Sequence, residues 1–473
     1  MTAPTTSAFA STVSKSGTTN IDALLSGDKW GGAVGTSANV SFSFPWINGN
    51  SAVFSGPGIS AYSKNGEETA SQHFGLNGIQ QLAVSRALAT WSNVANLSFQ
   101  QIAESTTDVG DIRFAFSSAS SLNSWWGYAW NPSNYWPHSG DIWINATNAS
   151  DTDWSQGSNN FQSLVHEIGH AIGFDHPFSG TVTVPKNYDT LQYTVMSYTD
   201  APNSLFVKLD TYPDGSVSWS SFTVVPETPM LLDIAAIQYL YGANSSYKIG
   251  DDVYTFNTRT PFFKTIWDAG GRDTISVSNF TEGCEINLNA GSFSKITIKS
   301  DSTSGYNWTK QPPIPSYDGT NNLCIAYGVV IENAIGGGGN DKLTGNSSNN
   351  SLDGGPGNDF MYGGIGNDIF DWDTAQRKGN DTFYGGKGND TFVFDSAYDV
   401  VYEYMDEGTD TIWVPFSYSI ASYTNIENLY GFGSNSLTLT GNSNSNYLQG
   451  GSSDDVIDGG NGVDYAYYTD KYS

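Results

Sequence analysis

The sequence predicts a chain in two parts: an α+β domain with a mixed sheet and helices, then an all-β parallel β-roll of glycine-rich nonapeptide repeats. Three observations carry this. Strand-like alternation and helix-like spacing interleave up to about residue 244, after which helical spacing disappears. Glycine becomes dense toward the end, with 24 of the 143 residues from Ile331 onward against 28 of the preceding 330. A nine-residue period begins at Gly336. The expected divisions are a leader or propeptide over residues 1–18, a first domain over 19–245 and a roll over 246–473. A non-repeat insertion is expected at about 399–440.

In order along the chain, residues 1–32 are rich in Ser and Thr and read as a mobile leader. Residues 40–45 alternate apolar and polar until Pro45 and predict the first strand. From 78 to 91, Ile79, Leu82, Ala83, Ala87, Leu88 and Trp91 recur at three and four, predicting a helix with one buried face. Short strands are expected at 97–102, 111–116, 127–130 and 141–145, a second helix at 161–174 and a third at 229–241. Gly242 supplies the stop for the third helix.

The repeats read GGGGNDKLT, GNSSNNSLD, GGPGNDFMY and GGIGNDIFD from Gly336. Residues 372–375 fall out of phase, and QRKGNDTFY and GGKGNDTFV follow; GNSNSNYLQ, GGSSDDVID and GGNGVDYAY close the series. Six residues turn and three form a strand whose middle residue points inward. The predicted inward column is Leu343, Leu352, Met361, Phe370, Phe383, Phe392, Leu448, Ile457 and Ala466. A flexible linker would not keep an apolar residue at every eighth position. The sixth position carries Asp341, Asp359, Asp368, Asp381, Asp390, Asp455 and Asp464, a row of like charges that requires cations. Carboxylates combined with backbone carbonyls of the glycine turns, at Gly336, Gly338, Gly354, Gly363 and Gly385, suit Ca²⁺ better than Mg²⁺. Several structural calcium ions and calcium-driven folding are expected.

Acidic residues outnumber basic ones 47 to 19, a formal charge of -28, which argues against nucleic acid or an anionic membrane as partner. With 38% hydrophobic and 14% aromatic residues the chain is not a disordered polyanion. The first 30 residues hold no apolar run of the length a Sec signal or membrane anchor needs. Cys284 and Cys324 are too few for a disulfide framework and have no zinc-ligand spacing.

The chemistry concentrates in HEIGHAIGFDHP. His166 and His170, four apart on the second helix, lie on one face and can share a metal. Gly173 lets the chain leave the helix, so that His176 can complete a three-histidine zinc site with an open position for water. Glu167 is not needed as a ligand and can act as general base on a zinc-bound water attacking a carbonyl. Three of the chain's five histidines fall within this string, which argues against three unrelated core histidines.

These residues match the metzincin signature HExxHxxGxxH. Together with the nonapeptides, the chain resembles the serralysin family of secreted bacterial metalloproteases with RTX repeats. Residues 42–45, 232–244, 267–271 and 331–337 resemble further stretches typical of that family. The resemblance implies a metzincin-type catalytic domain holding one catalytic zinc. It also implies a methionine turn at Val195-Met196-Ser197-Tyr198, with Tyr198 as fifth zinc ligand and oxyanion partner. An edge strand at Tyr128, Ala129 and Trp130 that pairs with extended substrate is implied as well. So is an additional calcium loop at Asp268, Gly270 and Asp273.

The expected function is therefore a secreted zinc endopeptidase acting on extracellular proteins. The resemblance implies a monomer exported by a type I exporter without a Sec signal, and a protein inhibitor as a further partner. Acidic repeats that repel one another where calcium is scarce would fold once it is abundant outside the cell. The other reading is a calcium-dependent adhesin or matrix protein with a non-catalytic zinc site; Glu167 discriminates, since a structural site has no need of it. Two departures stand out. Serralysins generally lack cysteine, and an extracellular setting would allow Cys284 and Cys324 to pair as a disulfide. The family ends in a C-terminal secretion signal, whereas this sequence stops at Ser473 beside a repeat block, which suggests a truncated chain or a different export signal.

Overall fold

The computed structural model describes residues 8–47, 52–54, 62–134, 137–372 and 379–468. Residues 1–7 of the expected leader, residues 373–375 of the out-of-phase stretch and residues 469–473 lie outside the described residues.

The first part contains β1 (Ala10–Thr12), α1 (Thr19–Asp22), β2 (Asp28–Trp30), β3 (Ala38–Ser43), β4 (His73–Phe74), α2 (Gly78–Val94) and β5 (Leu97–Gln101). It continues with β6 (Ile112–Ser117), β7 (Gly127–Ala129), β8 (Ile142–Asn145), α3 (Asn159–Ala171), β9 (Leu205–Thr211), β10 (Val217–Thr223) and α4 (Leu231–Tyr241). The main sheet has the order β5-β3-β6-β8-β7, with β4 also paired to β6. β3, β5, β6 and β8 run parallel, and β7 lies antiparallel on β8 at the edge.

Local chemistry explains the helix limits. Asn77 caps α2 in a reciprocal box with Gln80, and the Ser158 hydroxyl accepts the Phe161 N–H at the start of α3. Gly173, at φ +114, turns the chain out of α3. α2 and α3 pack against each other, and the Trp91 indole between them donates to the Val165 carbonyl.

The structure corrects the predicted buried face of α2. Ile79 and Leu82 are exposed, and the buried side is built from Ala83, Val84, Ala87, Leu88, Trp91 and Val94. The two outliers lie on the outer stripe of the helix with Arg86 and Ala89, while Gln80, Ala83 and Val84 in the same turns are buried. The expectation of a mobile leader to residue 32 also fails over its described part. β1 pairs antiparallel with β2, Leu24 and Trp30 are buried, and the Trp30 indole donates to the Ala171 carbonyl at the end of α3.

The second part is a roll whose successive turns feed two parallel sheets, of ten and five strands, joined near the end by a three-stranded one. Register stacks Ala334, Leu352, Phe370, Phe392, Ile412, Leu429, Leu448 and Ala466 on one wall. Leu343, Met361, Phe383 and Val401 stack on the other. Buried phenyl rings touch along and across the interior; the Phe370 ring centre lies 4.9 Å from that of Phe392 on its own wall and 5.7 Å from that of Phe383 on the other.

Residues 399–440 do not interrupt the roll: Val400–Tyr402, Thr411–Val414, Asn428–Gly431 and Thr438–Thr440 are strands of the same sheets, and Val401, Ile412, Leu429 and Leu439 are buried. Strand apolarity is kept there while the glycine turns change length, so the period vanishes and the architecture does not. Among the predicted inward residues, Ile457 is only half-buried and Ala466 is exposed; both lie on the outermost described strands of their sheets. Cys284 and Cys324, whose pairing the sequence left open, are separate, buried free thiols.

Candidate active site

The buried stripe of α3 includes Leu164, Val165, Ile168 and Ala171, so packing fixes the helix and directs His166 and His170 to one side. Each imidazole is then oriented by a carbonyl. His166 Nδ1 donates to Val195 O at 2.8 Å, and His170 Nδ1 donates to Phe174 O at 2.9 Å. A carbonyl can only accept, so these contacts place the proton on Nδ1 and leave each Nε2 lone pair for a metal. The turn at Gly173 brings His176 back, with its Nε2 3.1 Å from that of His170. Tetrahedral Zn–N bonds of about 2.0–2.1 Å require N···N of roughly 3.3 Å, so the three imidazoles fit zinc. Burial and the neighbouring histidines push His166 well below the usual imidazole range and His170 down to about 4, while burial lowers His176. Neutral imidazoles are the form that ligates.

Glu167, between the two helical histidines, faces the sheet edge, where the Ala129 N–H donates to it. Its other oxygen, Oε2, is buried without a protein partner. Burial pushes this carboxyl up to about 8 despite the Ala129 bond. Tyr198 stands over the histidines, its ring centre 4.7 Å from that of His176 and 5.6 Å from that of His166. Its phenol is held up at about 12 by burial and by the Glu167 and Asp175 carboxylates.

Beneath the histidines lies the turn carrying Met196, fully buried. A Cβ on Gly169 would stand 2.6 Å from the Met196 sulfur, so the glycine between the two ligands gives this turn its close approach. Asp233 of α4 holds the turn by accepting the Thr194 hydroxyl at 2.6 Å and the Val195 N–H at 2.8 Å.

A cleft of about 680 Å³ opens over the site. β7 forms one wall, with Tyr128, Ala129 and Trp130 where the sequence places a substrate strand; Trp125, Phe178 and Tyr198 add aromatic surface. Trp130 N–H donates to Asp141 O, and Trp130 O accepts the Gly140 N–H. By the alternation of antiparallel pairing, Gly127 and Ala129 direct their backbone groups to the open edge.

In the roll, Oδ1 of each sixth-position aspartate accepts the N–H of the corresponding residue one turn earlier: Asp359 from Asp341, Asp368 from Asn350, Asp381 from Asp359 and Asp390 from Asp368. Asp341 in the same way accepts the Cys284 N–H, Asp455 accepts that of Leu437, and Asp464 that of Asn446. Oδ2 of Asp359, Asp368 and Asp390 is buried with no protein partner, and burial pushes these carboxyls up to about 8, 6 and 7. Orphaned carboxylate oxygens beside stacked glycine turns fit a hard cation. The close stacking leaves no room for side chains: a Cβ on Gly336 would meet the Gly354 carbonyl at 2.1 Å, and one on Gly354 or Gly363 the Oδ2 of Asp359 or Asp368. Gly338 takes part in the same turn, donating to Phe280 O.

Among the described residues, three further acidic groups converge within metal-ligating distance: Asp252, Asp268 and Asp273; Asp381, Asp395 and Asp399; and Asp390, Glu403 and Asp410. The first contains the predicted Asp268 and Asp273, with Gly270 donating to Asp268, and adds Asp252. In the third, a Cβ on Gly385 would meet both Glu403 and Asp390, and burial and the neighbouring carboxylates push the Glu403 carboxyl up to about 9. Sequence reading missed Asp252, Asp395, Asp399, Glu403 and Asp410. Their spacing departs from nine, and the aspartate at the start of the Asp399 strand and the one in Gly408-Thr409-Asp410 are the only signal.

The serralysin C-terminal family of M10 peptidases matches residues 232–303 and 318–413, the matrixin family 75–201, and the RTX calcium-binding nonapeptide repeat 438–468. A serralysin of Photorhabdus sp. (strain Az29) is 36% identical over 293 residues, 57% of this chain and 53% of its own length. A serralysin of Proteus mirabilis is 31% identical over 349 residues, 67% and 62%. The metalloprotease AprA of Pseudomonas entomophila (strain L48) is 33% identical over 285 residues, 55% and 52%. The matched part thus spans between about half and three fifths of these relatives. The matrixin match brackets α2, α3, the histidines and Tyr198, and the other two cover most of the roll.

Proposed function

We propose that this chain, which resembles the serralysins in both its matrixin-type domain and its repeat roll, is a secreted zinc-dependent endopeptidase stabilised by calcium. The observation that carries the reading is Glu167: a buried carboxylate with one unpartnered oxygen, between two histidines that converge with a third, beside an open strand edge. An adhesin with a structural zinc would have no need of it.

His166, His170 and His176 would hold the zinc, which supplies a Lewis acid that makes water nucleophilic near neutral pH. An extended peptide adds to the free edge of β7, bonding to the backbone of Gly127 and to the Ala129 carbonyl. Glu167, fixed by the Ala129 N–H, takes the proton from the attacking water and delivers it to the leaving amine. Tyr198, protonated and half exposed beside His176, donates to the oxyanion as it forms and is placed to be a resting ligand. Burial in the aromatic-walled cleft keeps these contacts from being screened by water.

Calcium held by the sixth-position aspartates, by the glycine-turn carbonyls and by the three further acidic groups would neutralise the roll and complete its folding. Among the described residues no helix is long and apolar enough to cross a membrane. Export through a type I exporter, action as a monomer on extracellular protein and control by a protein inhibitor belong to the same reading.

The test is digestion of casein in calcium by the native chain and by Glu167→Ala, with and without a zinc-selective chelator. Cleavage lost in the variant while zinc stays bound, and lost on zinc removal, is expected. Undiminished cleavage by Glu167→Ala would overturn the assignment of the base, and a folded, zinc-loaded chain that cuts nothing would overturn the endopeptidase reading.

A further inference from the structure

The cleft over the histidines carries a charge that the proposed chemistry does not use. Lys64 is the only lysine or arginine among the described residues that line it. Its Nζ lies 5.7 Å from the centre of the Trp130 ring, a cation over an aromatic face at the Ala129–Trp130 end of the edge strand. Like several other basic residues it makes no ion pair with any described carboxylate, but it alone among them faces this cleft.

The backbone on either side of Lys64 is fixed. The Tyr62 hydroxyl is hydrogen-bonded with Pro137 O at 2.6 Å and with Asp141 Oδ2 at 2.8 Å, and Tyr62 O is bonded by His138 Nδ1 at 3.0 Å. Asn65 Nδ2 donates to the Tyr128 hydroxyl on the edge strand itself at 3.0 Å. The lysine is thus exposed, unpaired and mounted on a braced rim, where its charge reaches the substrate channel. A protein of net charge -28 repels acidic peptides in general, so one unneutralised cation beside the bound strand stands out in the local field.

We propose that Lys64 selects substrates carrying a glutamate or aspartate in the subsite over Trp130. This rests on the endopeptidase reading and deepens it. A peptide on the free edge of β7 sends alternate side chains toward the rim, and the one passing Trp130 comes within reach of the ammonium group. The contact is half solvated, so the expected discrimination is roughly two- to fivefold between an acidic residue and its amide, declining as salt rises.

The experiment uses the full chain with zinc and calcium and a set of fluorogenic peptides differing only in Glu or Gln at successive positions around the scissile bond. The native chain should show a kcat/KM ratio favouring Glu at one position. Lys64→Ala should bring that ratio to unity, and Lys64→Glu should exchange it for a preference for Lys over Gln. A ratio that persists in both variants, or no Glu preference at any position at low salt, overturns the proposal. The same peptides bound to Glu167→Ala and to Glu167→Ala with Lys64→Ala report the preference as affinity. Acidic peptides bound selectively through Lys64 but never cut by the native chain would refute the endopeptidase reading alone.

Discussion

Replacing Asp233 should loosen the metal site without touching it. The side chain is fully buried at the start of α4; Oδ1 accepts the Thr194 hydroxyl, and Oδ2 accepts the N–H groups of Val195 and Met230, both at 2.8 Å. Thr194, Val195 and Met230 are themselves fully buried. Asp233→Ala strands three donors, each costing about 1–3 kcal/mol, partly offset because a buried carboxylate is itself costly; a net loss of about 3 kcal/mol is expected. Asp233→Asn keeps one oxygen for the two N–H groups and turns its amide toward the Thr194 hydroxyl, which can accept; about 1 kcal/mol is expected.

Since the Val195 carbonyl orients His166, zinc affinity should fall in the same order. Urea unfolding in calcium, followed by tryptophan fluorescence, and competition with a zinc chelator measure both quantities. Equal losses in the two variants would refute the reasoning.

The pH dependence adds a sign. Burial raises the Asp233 carboxyl from 3.8 to about 7 in the folded chain. Between those values the folded state binds more protons than the unfolded one, so this group's contribution is fully present below about 4 and is lost as pH rises through 7. Asp233→Asn, which does not titrate, should gain on the native chain between about pH 4 and 7. A constant difference over that range would show that the carboxyl is not raised.

Gly173→Ala should destabilise by about 2–4 kcal/mol and weaken zinc binding, because φ is +114 and a Cβ would stand 2.5 Å from the Asp28 carbonyl just where the chain returns toward His176; native thermal stability and zinc affinity in the variant would contradict this. Removing calcium with EGTA should abolish the β-type circular dichroism of the roll, and Glu403→Gln should raise the calcium concentration needed to restore it; a roll that stays folded without calcium contradicts the reading of the orphaned carboxylates. Thiol titration should find two free cysteines on denaturation without reductant and slow reaction before it, since burial pushes Cys284 up to about 11 and Cys324 to about 12; fewer than two thiols would restore the disulfide.

Some of this protein is written in strictly local patterns. His166, Glu167 and His170 share a helical turn, Gly173 forces the exit that returns His176, and the nine-residue period sets the phase of turn, carboxylate and inward residue. Helix pitch and strand alternation are fixed by the backbone, so spacing alone carries these features. The same logic misled where periodicity did not report contact. Ile79 and Leu82 keep helical spacing yet face solvent, and residues 399–440 lose the period while Val401, Ile412 and Leu429 keep the core column.

Only the tertiary structure decided the rest, because those features join residues that no short-range rule connects. Trp30 meets Ala171 across 141 positions, Asp233 meets Val195 across 38, Lys64 is set over Trp130, and Asp390 finds Glu403 and Asp410 from unlike turns. The sequence determined the spacing of the histidines and Glu167 and the row of repeat carboxylates; the packing of β7, α3, α4 and the rim at residues 62–65 decided how those groups are held and what lines the cleft. Such contacts depend on how whole elements pack, a global balance of burial and chain entropy, whereas the motif depends on the geometry of a single helix turn.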